Sequence, residues 1–114
     1  MSNELYEMIG YEIYTILKDE KLEELAFSVK RNIINAVIED LEQLYNCDPS
    51  TKKLEDAIFY HLGFKSIFYY RISHYLFSRE NDFFKIKSKK ISECAKLITG
   101  VEIHPAAKIE GGLS

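Results

Sequence analysis

Gly100-Val101-Glu102-Ile103-His104-Pro105-Ala106-Ala107-Lys108-Ile109-Glu110 is the stretch on which the reading of the fold turns. Everything before Gly100 has the period of helices, whereas from Val101 onward the chain is short-patterned, β-leaning and rich in small residues. Ile103 and Ile109 are six apart, with the small residue Ala107 four after the first. That is a hexapeptide period, in which each six-residue unit forms one face of a triangular prism and its aliphatic residue points inward. A coil needs three such units, and only about two fit before Ser114, whereas solenoids need roughly three or more stacked repeats for stability. The spacing therefore predicts an incomplete β-helix start over residues 101–114 and a chain that is a piece of a longer protein. With no strands above them, residues 103–114 are expected to fray or to pair with a neighbour.

Working back from Gly100, which can terminate a helix in the left-handed conformation, Asn81 or Asp82 can cap a last helix. In that helix Phe84, Ile91, Ala95 and Ile98 face inward and the lysines 85, 87, 89 and 90 face water. Phe64, Ile67, Phe68, Arg71, Tyr75 and Leu76 form the preceding apolar face, with Gly63 interrupting or capping the helix before it, where Leu54, Ile58 and Leu62 share a side. Asp48-Pro49 reads as a helix start, because the carboxylate accepts unsatisfied backbone N–H groups and proline tolerates the first helical position. Leu5, Ile9, Ile13 and Ile16 recur at helical steps, and Leu22, Leu25, Ala26, Val29, Ile33, Val37, Leu41 and Leu44 continue the pattern as one helix or two. The fold class is thus mainly α: a multi-helix domain over residues 1–100, then the incomplete solenoid.

Composition narrows the function. The 114 residues are 46% hydrophobic and carry a formal charge of −3, so no strong basic field favours nucleic acid. Apolar runs are interrupted by charge every few residues, which argues against a membrane span. Glu4, Glu7 and Glu12 stand where a secretory leader needs a basic and then an apolar region. Cys47 and Cys94 match no zinc or CxxC spacing, in keeping with a reduced, cytoplasmic setting. His61, His74 and His104, spaced by 13 and 30, make no metal-ligand pattern.

Two places invite a chemical reading. Asp48 is a helix cap on propensity alone, and equally an exposed carboxylate able to hold a cationic group. Arg71 and His74 could form an anion site or supply a base, but they read better as anchors of helix packing through hydrogen bonds at the core edge, since local spacing sets no carboxylate or nucleophile beside them. No phosphate loop, nucleophile elbow or carboxylate pair is visible.

Three blocks resemble the serine O-acetyltransferase family: Asp48-Pro49-Ser50, sixteen residues before Phe64; Gly63-Phe64-Lys65 with Tyr70-Arg71-Ile72-Ser73-His74-Tyr75-Leu76; and Gly100 to Ile109, the most specific of the three. Lys65 stands where the family usually has histidine, and residues 1–47 share only helical and acidic character. The resemblance implies a left-handed parallel β-helix after the helical domain. It also implies acetyl transfer from acetyl-CoA, as co-substrate with no further cofactor, to the hydroxyl of L-serine in cysteine biosynthesis. A β-helix histidine, oriented by an aspartate, would act as general base. Both are expected beyond Ser114, so no catalytic residue and no metal ligand falls within the chain, and it is expected to be inactive alone. Asp48 maps onto the aspartate that binds the amino-acid substrate and the feedback inhibitor cysteine. The family forms a hexamer from two trimers through its helical domain, and its C-terminal tail, not found in these residues, docks on O-acetylserine sulfhydrylase. The alternative is a non-catalytic helical oligomerisation module. Another hexapeptide acyltransferase with a different acceptor is a third reading, which the Asp48 spacing and residues 103–109 argue against.

Overall fold

The computed structural model describes residues 3–47 and 54–110. Its α-helices are α1 (Asn3–Asp19), α2 (Ala26–Cys47), α3 (Leu54–Tyr60), α4 (Leu62–Ser78) and α5 (Asp82–Thr99), with a 3-10 turn at Glu23–Leu25 ahead of α2. The mainly helical architecture is therefore observed. Among the described residues there is no strand: residues 101–110 form a non-helical strap with one turn at Pro105 and Ala106. The helix start expected at Asp48-Pro49 lies outside the described residues, as do residues 111–114.

The long apolar pattern of the first half breaks into two helices at Lys21. There the chain enters the left-handed region at φ 60. Lys21 N–H donates to Lys18 O at 2.9 Å and Leu22 N–H to Leu17 O at 2.8 Å. This pair of bonds is the Schellman closure, and Leu17 and Leu22, the two residues it brings together, are both buried. α5 ends differently, on Gly100 at φ 75, with one bond from its N–H to Lys96 O at 2.8 Å.

Lys21 and Gly100, both left-handed, predict opposite mutational signs. A side chain in that conformation costs roughly 1–2 kcal/mol. Lys21→Gly is expected to raise the stability of the chain by about 1 kcal/mol, and Gly100→Ala to lower it by about 1 kcal/mol. Thermal unfolding of the two variants checks this, and shifts of the same sign would contradict it.

α4 is the central helix. Phe64, Ile67, Phe68, Tyr70, Ile72 and Leu76 are all buried on it, as are Ser66, Arg71 and Ser73. It packs against α5, α2 and α3, while α1 packs against α2 and α3 with Leu5, Ile9, Ile13, Ile16 and Leu17 inward. A helix buried on nearly every side belongs in the middle of a bundle. Its start is capped by His61, whose Nδ1 accepts Phe64 N–H at 3.0 Å, so Gly63 lies inside the first turn of α4 rather than capping α3. Asn81 caps α5 as expected, its Oδ1 accepting from Phe84 N–H at 3.2 Å.

Four inward or outward assignments are corrected. Ile98 is 49% and Leu62 50% exposed, because the second apolar edge of α5 and the N-terminal tip of α4 have no helix over them among the described residues. Lys85 and Lys87 are half-buried rather than free in water. Lys87 reaches Glu20 at 3.6 Å, and Lys85 lies over the Phe77 ring at 5.2 Å. Ser88 takes the inward place between Phe84 and Ile91, its hydroxyl turned back to Lys85 O at 2.7 Å.

Candidate functional site

Asp48 lies outside the described residues, in the connection between the end of α2 at Cys47 and the start of α3 at Leu54. What the structure does bring together, on the α2–α4 side of the bundle, is a buried ion pair and the strap that crosses it.

Asp40 stands within the buried stripe of Ile33, Val37, Leu41 and Leu44 on α2 and is itself fully buried. Arg71, buried on α4, donates from Nε to Asp40 Oδ2 at 2.9 Å and from Nη2 to Asp40 Oδ1 at 3.0 Å. Two parallel charge-assisted bonds of this kind fix both angle and distance between the helices. The same guanidinium also donates from Nη1 to the carbonyl of Ile109 at 2.6 Å and from Nη2 to the carbonyl of Glu110 at 2.8 Å. One planar fork thus joins α2, α4 and the strap, a geometry that the three-donor point charge of lysine does not reproduce.

The strap is held along its length in the same manner. The Tyr70 hydroxyl donates to Ala107 O and accepts from Ile109 N–H at 3.1 Å. His74 Nδ1 meets Pro105 O at 2.7 Å, and because a carbonyl only accepts, the ring carries its proton on Nδ1. Ser92 on α5 donates to Ile103 O at 2.9 Å. The carbonyls of residues 103, 105, 107 and 109 therefore each accept from a helix side chain. Ile103, Pro105, Ala107 and Ile109 turn toward the helices, while Glu102, His104, Ala106, Lys108 and Glu110 are exposed. The turn between them closes through Ala107 N–H to His104 O at 3.0 Å, with His104 Nδ1 accepting from Ala106 N–H at 3.0 Å. Residues 103–110 are consequently docked rather than frayed. Five of their carbonyls and the Ile109 N–H are bonded by side chains of α4 and α5, which take the place of a neighbouring strand.

Arg71 does anchor helix packing, as its place in the sequence suggests, but His74 bonds the strap and not another helix. Asp40, Tyr70 and Ser92 were missed by sequence reasoning. For Asp40 a signal existed: an acid inside an apolar stripe on one helix, matched by Arg71 inside an apolar face on another, asks for a pair. Tyr70 and Ser92 carry no such signal, because tyrosine and serine are ordinary on any helix.

Elsewhere, the Tyr75 hydroxyl meets Ser28 Oγ at 3.1 Å and accepts from Arg79 Nη1 at 3.1 Å. The Ser28 bond foremost, then the Arg79 bond and charge, hold the phenol below its ordinary range. Burial pushes the Tyr69 phenol and the Glu12 carboxyl up. The exposed thiol Cys94 sits where a shallow open groove of about 450 Å³, lined also by Glu20, Ile86, Lys89, Lys90 and Glu93, crosses the outer face of α5. Among the described residues no group of His, Cys, Asp and Glu side chains could hold a metal ion, and no helix is long and apolar enough to cross a membrane.

Comparison with known proteins gives one consistent relationship. The chain is similar to the serine acetyltransferase of Bacillus licheniformis, 35% identical over 71 residues, which are 62% of this chain and 32% of that protein. The serine acetyltransferase of Helicobacter pylori is 34% identical over 73 residues, 64% of this chain and 41% of the relative. A Schizosaccharomyces pombe protein named provisionally for the same activity is 34% identical over 113 residues, 99% of this chain and 34% of its own length. The chain spans about a third of the length of the curated relatives it matches. No protein-family model matches it, and no solved structure gives a match.

Proposed function

From this similarity to serine acetyltransferases we propose that the chain is the helical N-terminal portion of a serine O-acetyltransferase, which converts acetyl-CoA and L-serine to O-acetyl-L-serine and CoA. The observation that carries the reading is sequence identity of about a third with proteins named for this one activity. The docked strap supports it, since a hexapeptide segment delivered to one face of a helical body suits a chain about to wind into a left-handed β-helix.

In this reading the helical portion binds and positions, and the chemistry is done by the β-helix. A histidine there removes the serine hydroxyl proton as the oxygen attacks the thioester carbonyl, and an aspartate holds the imidazole in the required orientation. Asp48 holds the ammonium of the amino acid, a charge-assisted contact, and cysteine as feedback inhibitor takes the same place. Assembly as a dimer of trimers and a cytoplasmic setting belong to the same proposal. A second reading, a helical module whose work is self-association alone, is favoured by the exposed Phe27, Tyr60, Ile86 and Leu97, the last 85% accessible.

A chimera separates the two. Residues 1–110 joined to the remaining two thirds of the B. licheniformis enzyme are expected to form O-acetylserine, while the 114-residue chain alone forms none. In the chimera Asp48→Asn is expected to raise KM for serine by about 10- to 100-fold, the worth of one charged hydrogen bond. KM for acetyl-CoA should stay unchanged. An inactive chimera that assembles normally favours the self-association reading. O-acetylserine made by the chain alone would overturn the assignment of the chemistry to the β-helix.

A further inference from the structure

Four hydrogen bonds of one side chain connect parts of the chain that are far apart in sequence. Arg71 spends two of them on Asp40, 31 residues earlier, and two on the carbonyls of Ile109 and Glu110, 38 and 39 residues later. Asp40 lies two turns before α2 ends at Cys47, and Asp48 is the next residue. Glu110 is the last described residue of the strap.

We propose that Arg71 is a positioning residue, which sets the place where the strap leaves the helical body relative to the C-terminal turns of α2. The physical argument is specific to Arg71. Ser92, His74 and Tyr70 each tie the strap to α4 or α5, and none of their strap bonds reaches α2. Among the described residues, only the guanidinium fork bonds α2 and the strap at once. It does so from a buried site where a rigid, planar set of donors loses little order on binding, and where water competes poorly for carbonyl and carboxylate. A lysine in its place keeps a positive charge beside Asp40 but cannot span a carboxylate and two carbonyls.

The test uses the chain itself with its two native cysteines changed to serine. Spin labels go on Asn46→Cys and Glu110→Cys, both at exposed positions, and in a control protein on Glu7→Cys and Glu93→Cys, exposed on α1 and α5. The parent is expected to show one narrow 46–110 distance. Arg71→Lys is expected to broaden that distance to several populations and to speed exchange of the Ile109 amide about tenfold or more, with the 7–93 distance unchanged. Tyr70→Phe, which removes two strap bonds and leaves the fork intact, should keep the 46–110 distance narrow. An unchanged 46–110 distance in Arg71→Lys overturns the proposal. So does equal broadening in Tyr70→Phe, and so does broadening of the 7–93 control, which would make Arg71 a general requirement for the fold. No catalysis enters the measurement, so failure of the acetyl-transfer reading in the chimera and failure of this proposal are separate results.

Discussion

Arg71→Met is expected to lower the unfolding free energy by about 3–5 kcal/mol in urea titrations, the loss that follows when one partner of a buried ion pair is removed. Methionine fills much the same space, so the effect is electrostatic. The Asp40 carboxylate, fully buried on α2, loses two bonds, at 2.9 and 3.0 Å, that help offset its removal from water. Against a total stability of about 5–15 kcal/mol for a small domain, such a loss leaves a large unfolded fraction at physiological temperature. The double variant Asp40→Leu/Arg71→Met decides the cause. Exchanging a buried pair for apolar residues of similar volume is often neutral, so most of the lost stability should return while protection of residues 107–110 does not. A single variant within about 1 kcal/mol of the parent would show that the pair is solvated in solution.

Phe64→Ala is the second large effect, with an expected loss of about 3–5 kcal/mol. The ring is fully buried at the start of α4 and lies nearly parallel to Phe68, with centroids 5.7 Å apart. Alanine there removes the apolar area and leaves a void among rigid neighbours that close around it only in part. Phe64→Leu keeps most of the volume and is expected to cost less than about 1.5 kcal/mol. Should leucine cost as much as alanine, the ring–ring contact with Phe68 would carry the energy, and filled volume would not. The two core predictions also differ in their reach, since Phe64 makes no hydrogen bond to the strap through its ring.

Much of the fold was legible because helices announce themselves locally. The three- and four-residue steps of Leu5, Ile9, Ile13 and Ile16 gave the buried face of α1, Asn81 its role as cap, and Gly100 its role as terminator, since each depends on residues within a turn or two. The errors came where distant groups overrule local pattern. Ile98 has the right spacing to face inward, yet no helix covers that edge of α5. Lys87 has the right spacing to face water, yet Glu20 from beyond the end of α1 draws it in. The strap was misjudged for a related reason. Its six-residue spacing suggests strands as partners and says nothing of helix side chains. The donors that satisfy it are single side chains scattered over α4 and α5, and nothing in residues 101–110 reports where they are. The candidate site was legible only as a resemblance at Asp48, which lies outside the described residues. The Asp40–Arg71 junction became visible when two helices thirty residues apart were laid side by side.

A body that grips its neighbour by main-chain carbonyls places few demands on that neighbour's lettering. Every amino acid offers the same oxygen, so Glu102, Ala106, Lys108 and Glu110, all turned outward, are open to drift without loss of grip. Ile103, Pro105, Ala107 and Ile109 need only stay compact and apolar. The constraint falls on the helices, where Tyr70, Arg71, His74 and Ser92 must be kept together. Over generations this makes Gly100 a natural seam: a different downstream segment with the same alternation could be spliced there and be held by the same four residues. Inheritance would then preserve the clasp more faithfully than the thing it clasps.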